Sequence, residues 1–130
     1  PLYAAMAEQG LGVPWEDVLF FFGDERLVPR NDPQNTFGAV APILFPPGRV
    51  PAGNIHPMPV DIAPPDLAGA AYEAELRAAF ASPVGEIPRF DLILLGMGPD
   101  GHTASLFPGS PALGETVWLA AAVPPPMRSP

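Results

Sequence analysis

The sequence predicts an α/β protein in which helices flank a mostly parallel sheet. Short apolar runs that suit buried strands alternate along the chain with segments of helical character. The clearest strand signal, residues 92–95, is continuously apolar, as expected for a strand covered on both faces. No internal repeat or linker interrupts the chain, so we expect residues 1–130 to form a single, partial domain.

The first elements follow from local signals. Residues 2–9 are predicted to be the end of a helix, with Gly10 as its stop signal. Residues 15–22 are rich in aromatic and apolar side chains and are predicted to contain a buried strand. Residues 24–32 are charged and polar, which predicts a loop directly after that strand.

The middle of the chain is less regular. Residues 35–45 can form a helix, which Gly38 weakens and which we expect to be interrupted near Pro42. Residues 46–53 are predicted to be a loop, and residues 54–58 a short extended segment.

Residues 64–81 give the strongest helix prediction. A proline lies near the start, Glu73 and Arg77 form an i,i+4 pair, and large apolar residues recur four apart on one face, at Tyr72, Leu76 and Phe80. Residues 90–95 and 117–123 are predicted strands. Trp15 and Trp118 flank predicted strands, so we expect both in the core.

Composition excludes several classes of protein. The net charge of −8 argues against a nucleic-acid partner, and no apolar run reaches the roughly 20 residues of a membrane span. Without cysteine there is no disulfide or thiolate site. Without lysine there is no Schiff base or P-loop. An anionic ligand would therefore be held by arginine, backbone N–H groups or a helix N-terminus.

A glycine-rich turn follows the predicted strand at residues 90–95. Gly98 and Gly101 lie on either side of Asp100, and His102 follows directly. Glycine permits a sharp turn and a close approach to a ligand. A carboxylate two residues from an imidazole, at the carboxyl end of a buried strand, indicates a chemical site.

The same glycines spell G-x-G-x-x-G, so a nucleotide-binding module is an alternative. That motif requires a regular helix directly after its third glycine. Prolines and glycines leave room for only about two helical turns after His102, at Pro108, Gly109, Pro111 and Gly114. We therefore place this alternative third.

Residues 95–109, LGMGPDGHTASLFPG, closely resemble the signature of the 6-phosphogluconolactonase family. Residues 20–38, with DER at 24–26, resemble that family's second motif, and Asn54, Ile55 and His56 also fit. The resemblance implies a Rossmann-like layered fold, incomplete here because such proteins are nearly twice as long. It implies hydrolysis of 6-phosphogluconolactone in the pentose phosphate pathway, in the cytoplasm, with no metal or organic cofactor. It leaves the oligomeric state open.

The resemblance and the chemistry assign roles to individual residues. Neutral His102 would take a proton from the attacking water. Asp100 either caps the turn or orients His102. Backbone N–H groups from Gly98 to Gly101 could stabilise an oxyanion. The family pattern gives Arg26 the substrate phosphate.

Four further residues near these motifs have weaker assignments. Arg30 is a second phosphate candidate, and Asp24 a ligand of sugar hydroxyls. Glu25 is expected to point away from Asp24, because side chains alternate in extended backbone. His56 is expected to be structural or peripheral, because His56, Asp100 and His102 match no recognised metal-ligand spacing.

The nearest competing family is glucosamine-6-phosphate deaminase, which carries similar motifs. Its pattern implies a glutamate where this chain has Phe107, and a tyrosine where it has Arg26. Phenylalanine cannot transfer a proton, so we favour lactone hydrolysis. An inactive, binding-only chain is a further alternative, because the glycine- and serine-rich phosphate loop expected upstream is not in these residues.

Overall fold

The computed structural model describes residues 2–9 and 12–124 of the 130-residue chain. These residues belong to two compact units, Pro1–Asp61 and Ile62–Pro130. Within the described residues, the first unit contains two α-helices and both β-strands, and the second contains one α-helix. None of the described helices has the length and apolar character needed to cross a membrane.

The first unit contains a parallel strand pair with a helix between its two strands. Its elements are α1 (Leu2–Gln9), β1 (Phe20–Phe21), α2 (Thr36–Leu44) and β2 (Ile55–His56). Phe20 is paired with Ile55, and Phe21 with His56. This β-α-β order confirms the predicted α/β class and the parallel sheet. The predicted helix at residues 2–9 is also confirmed, and its predicted stop signal, Gly10, lies outside the described residues.

Aromatic side chains hold the strands of the first unit in place. Phe20 stacks on Trp15 at a ring-centroid distance of 5.8 Å and meets Phe45 edge-on at 5.0 Å. Phe21 stacks on His56 at 4.3 Å. His56 therefore packs within the strand pair, which agrees with the structural role expected from the sequence.

The predicted interruption of the second helix near Pro42 is wrong, because α2 runs through that residue to Leu44. A proline removes one backbone hydrogen bond from a helix. Two features offset this loss. The buried side chains of Val40 and Leu44 fix the helix against the unit, and the side chain of Asn35 caps its first turn.

The second unit is built around α3 (Pro65–Ala79), which agrees with the helix predicted at residues 64–81. The helix buries Tyr72 and Leu76, two of the residues predicted for its inner face. The predicted Glu73–Arg77 pair forms an ion pair of 2.9 Å. The other oxygen of Glu73 accepts a hydrogen bond from the backbone N–H of Leu119, which ties the helix to a later segment.

The strands predicted at residues 90–95 and 117–123 do not form. The first segment has no regular secondary structure and pairs with no strand among the described residues, and Leu92 is 71 % exposed. In the second segment, backbone N–H groups of Val117 and Trp118 donate to the carboxylate of Glu115 rather than to a strand. The predicted core position of Trp118 is also wrong, because its side chain is 60 % exposed.

Candidate active site

The glycine-rich turn of the second unit closes on itself. The N–H of Gly98 donates to the carbonyl of His102 at 2.8 Å, and the N–H of Gly101 donates to the carbonyl of Gly98 at 3.0 Å. Gly101 has a φ of 86°, which favours glycine. Both glycine N–H groups are engaged inside the turn, so an oxyanion could use them only by displacing these contacts. No α-helix follows this turn within the described residues, as a dinucleotide site would require.

Asp100 contacts His102 twice. Its Oδ1 lies 2.5 Å from Nδ1 of the imidazole and 3.2 Å from the backbone nitrogen of the same residue. The side-chain hydrogen bond, followed by the backbone one, lowers the pKa of the Asp100 carboxyl below its usual value. An ionised carboxylate can only accept, so Nδ1 carries a proton, and in the neutral imidazole it is Nε2 that has the lone pair. Asp100 thus combines the capping and orienting contacts that the sequence left as alternatives.

Two further residues confine the imidazole of His102. The ring of Phe107 stacks on it at a centroid distance of 4.5 Å. A Cβ added to Gly98 would lie 2.2 Å from Cε1 of the imidazole and 2.3 Å from its Nδ1. The absence of a side chain at Gly98 therefore leaves the space that the imidazole of His102 occupies, in addition to permitting the turn. The sequence shows the glycine but not what packs over it, so this role escaped prediction.

In the first unit, Arg26 lies on the loop between β1 and α2. Its side chain is exposed, and Nη1 donates to the hydroxyl of Thr36 at 2.9 Å. It borders a shallow cleft whose other walls come from residues before and within the first turns of α2, namely Pro33, Gln34, Asn35, Thr36, Ala39 and Val40. The guanidinium is thus a cation at an open surface, which suits recognition of an anion.

Glu25 caps the N-terminus of α2, a role that the sequence analysis missed. Its Oε1 accepts from the N–H of Thr36 at 2.7 Å and from that of Arg26 at 2.8 Å, and its Oε2 accepts from Phe37 at 2.8 Å. These contacts satisfy donors that a helix start leaves open. The N-terminus of α2 is therefore occupied by a carboxylate. Glu25 and Thr36 are eleven positions apart in the sequence, which explains why no local pattern predicted the contact.

Arg30 is placed differently from Arg26. Its Nη2 donates to the carbonyl of Met58 at 3.3 Å, and its guanidinium lies 4.8 Å from the ring centroid of Phe37. These contacts join the loop to the segment after β2 and to α2, which gives Arg30 a structural use. Asp24 lies half-buried near the start of the same loop, three residues after the end of β1.

No three histidine, cysteine, aspartate or glutamate side chains are grouped to hold a metal ion within residues 2–9 and 12–124.

Comparisons with known proteins agree on one family. Residues 1–130 match the family described as glucosamine-6-phosphate isomerases/6-phosphogluconolactonase. A 6-phosphogluconolactonase from Synechocystis is 47 % identical over 113 residues, which cover 87 % of this chain and 46 % of that protein.

Solved structures give the same result for the fold. The 6-phosphogluconolactonase from Thermotoga maritima matches with a TM-score of 0.71 at 40 % identity, covering 83 % of this chain and 45 % of that one. The Trypanosoma cruzi 6-phosphogluconolactonase matches with a TM-score of 0.80 at 29 % identity, covering 99 % of this chain and 54 % of that one. The chain spans about half the length of the relatives that it matches.

Proposed function

Because the chain belongs to the family of glucosamine-6-phosphate isomerases and 6-phosphogluconolactonases, as its two motifs predicted, we propose that it is part of a 6-phosphogluconolactonase. The reaction is hydrolysis of 6-phospho-D-glucono-1,5-lactone to 6-phosphogluconate, a step of the pentose phosphate pathway. The observation that carries the proposal is the Asp100–His102 contact, which directs Nδ1 to the carboxylate, so that Nε2 of the neutral imidazole can act as a base.

The chemistry follows from that contact. Nε2 of His102 takes a proton from water as the water oxygen attacks the lactone carbonyl. The carboxylate of Asp100 stabilises the imidazolium that forms. The tetrahedral intermediate then breaks its bond to the ring oxygen, which receives the proton from His102. Ester hydrolysis involves no change of oxidation state and so needs no redox cofactor, and in the proposed step His102 rather than a metal activates the water.

Arg26 is the proposed ligand of the substrate phosphate. It is exposed, and the Thr36 hydroxyl that it contacts is neutral, so this contact does not offset the charge of the guanidinium. The N-terminus of α2, another common phosphate site, is taken by the carboxylate of Glu25. The structural contacts of Arg30 make it the weaker candidate. Asp24 remains the proposed ligand of sugar hydroxyls, and Gly98 and Gly101 shape the turn that faces the lactone.

Phe107 favours lactone hydrolysis over deamination of an amino sugar. Ring opening in a deaminase needs a carboxylic acid, which the motif of those enzymes supplies as a glutamate at this position. Here an apolar ring occupies the position and stacks on the imidazole of His102. A phenyl ring cannot donate a proton to the sugar ring oxygen.

The decisive test uses the natural polypeptide that carries this sequence. We expect it to hydrolyse 6-phosphogluconolactone faster than the spontaneous reaction, and to release no ammonia from glucosamine 6-phosphate. Ammonia release without lactone hydrolysis would overturn the assignment. Activity on neither substrate would instead support the binding-only alternative.

The remaining assignments follow from this function. We propose that residues 1–130 belong to one partial domain of the enzyme, and that the enzyme works in the cytoplasm beside its charged sugar-phosphate substrates. Cell fractionation followed by the lactone assay tests the compartment, and activity confined to a membrane or organelle fraction would contradict it. The net charge of −8 makes a nucleic-acid partner unfavourable.

A further inference from the structure

Arg26 is held by a chain of contacts that begins at Glu25. We propose that Thr36 and Glu25 are positioning residues, which fix the guanidinium of Arg26 so that it receives the substrate phosphate in a set orientation. The inference rests on the proposed function and adds the residues that determine how well the phosphate is recognised.

The first link is the hydroxyl of Thr36. Its Oγ1 accepts from Nη1 of Arg26 at 2.9 Å, which orients one edge of the guanidinium. An exposed arginine otherwise samples many rotamers, and ordering it on binding costs side-chain conformational entropy. Threonine is β-branched and stiff at χ1, so its hydroxyl is a fixed acceptor rather than a mobile one.

The second link is the carboxylate of Glu25. Its Oε1 accepts from the backbone N–H groups of both Arg26 and Thr36, at 2.8 and 2.7 Å. One oxygen atom thus sets the distance between the backbones of the two residues whose side chains then meet. The other oxygen accepts from Phe37 at 2.8 Å, which anchors the arrangement to the first turn of α2.

The charges of Glu25 and Arg26 agree with a positioning role for the first and a phosphate-binding role for the second. The three N–H groups at the start of α2 and its preceding loop satisfy the carboxylate of Glu25, as an anion at a helix N-terminus should be. Within the described part of the chain, the contacts of the Glu25 carboxylate are all to backbone nitrogen, and none is to the guanidinium of Arg26. The positive charge of Arg26 therefore remains for a ligand, and a dianionic phosphate can accept from its remaining N–H groups.

The test removes only the acceptor on Thr36. In the natural polypeptide, Thr36→Val keeps the shape of the side chain and should raise KM for 6-phosphogluconolactone about 3- to 10-fold, with little change in kcat. Unphosphorylated gluconolactone should be hydrolysed as by the wild type. Thr36→Ser restores the hydroxyl and should recover most of the loss. Thr36→Ala serves as the second variant if the valine protein does not fold.

Two reference variants separate the outcomes. Thr116→Val makes the same substitution at an exposed threonine in the second unit and should leave KM unchanged. Arg26→Ala should raise KM for the phosphorylated lactone more than Thr36→Val does. An effect of Arg26→Ala with none from Thr36→Val or Thr36→Ala would overturn the positioning role alone. Equal losses on both lactones, or no effect of Arg26→Ala, would overturn the phosphate assignment with it.

Discussion

Gly98→Ala should disable the enzyme through the imidazole of His102. The new Cβ would lie 2.2 Å from Cε1 of that ring and 2.9 Å from Oδ1 of Asp100. Ordinary contact begins at about 3.4 Å, so the ring must move by roughly 1 Å. It cannot do so and keep both the 2.5 Å contact with Asp100 and the stacking on Phe107. A displacement of about 1 Å at a catalytic group can cost about 100-fold in rate.

The assay for Gly98→Ala is lactone hydrolysis, and kcat should fall about 100-fold. The φ of Gly98 lies outside the left-handed region, so alanine adds no backbone strain there and the effect is steric. Gly96→Ala is the matched control, because its added Cβ would meet no atom within 4 Å. Wild-type turnover by Gly98→Ala, or an equal loss in both alanine variants, would show that contact between the new Cβ and His102 does not control turnover.

Two further predictions concern protonation and stability. Because its contacts with His102 lower the pKa of Asp100, their contribution to stability is present above the usual carboxyl value and is lost as pH falls through the lowered pKa. The titration midpoint of the Asp100 carboxyl carbon, followed by NMR, should lie below pH 3.8 and should move towards that value in His102→Ala, while the midpoint of Glu115 stays unchanged. Identical Asp100 midpoints in the wild type and in His102→Ala would contradict this prediction. Asn35 is fully buried, and its side chain accepts from Gly38 and donates to Val28. Asn35→Ala should lower the free energy of unfolding by about 1–2 kcal/mol, measured by urea denaturation. The control Asn31→Ala, at an exposed position, should lower it by much less. Equal losses in the two variants would show that the Asn35 cap does not stabilise the protein.

The sequence predicted elements whose signals are local. In α3 the proline at the start, the apolar face and the Glu73–Arg77 pair all lie within one helix, and all three appear in the structure. The Asp100–His102 contact spans two residues and was also predicted as one of two alternatives. The continuity of α2 through Pro42 was missed because the stability of this helix comes from burial of Val40 and Leu44, which local propensity does not include.

Features that depend on distant partners were not predictable in this way. The apolar run at residues 92–95 indicates a buried strand, but a strand also needs a neighbour to pair with, and the described residues supply none. The N–H of Leu119 was expected in a strand and donates instead to Glu73, 46 residues earlier. The contacts of Glu25 with α2 and of Arg30 with Met58 are long-range in the same sense.

The proposed role of His102 as the base that activates water can be tested with His102→Ala in the natural polypeptide. The measurement is kcat for 6-phosphogluconolactone at neutral pH, corrected for spontaneous hydrolysis, on protein whose circular dichroism matches the wild type. We expect kcat to fall about 100-fold or more, because the methyl side chain of alanine cannot take the proton from water. Turnover comparable with the wild type would contradict it and remove His102 from the mechanism.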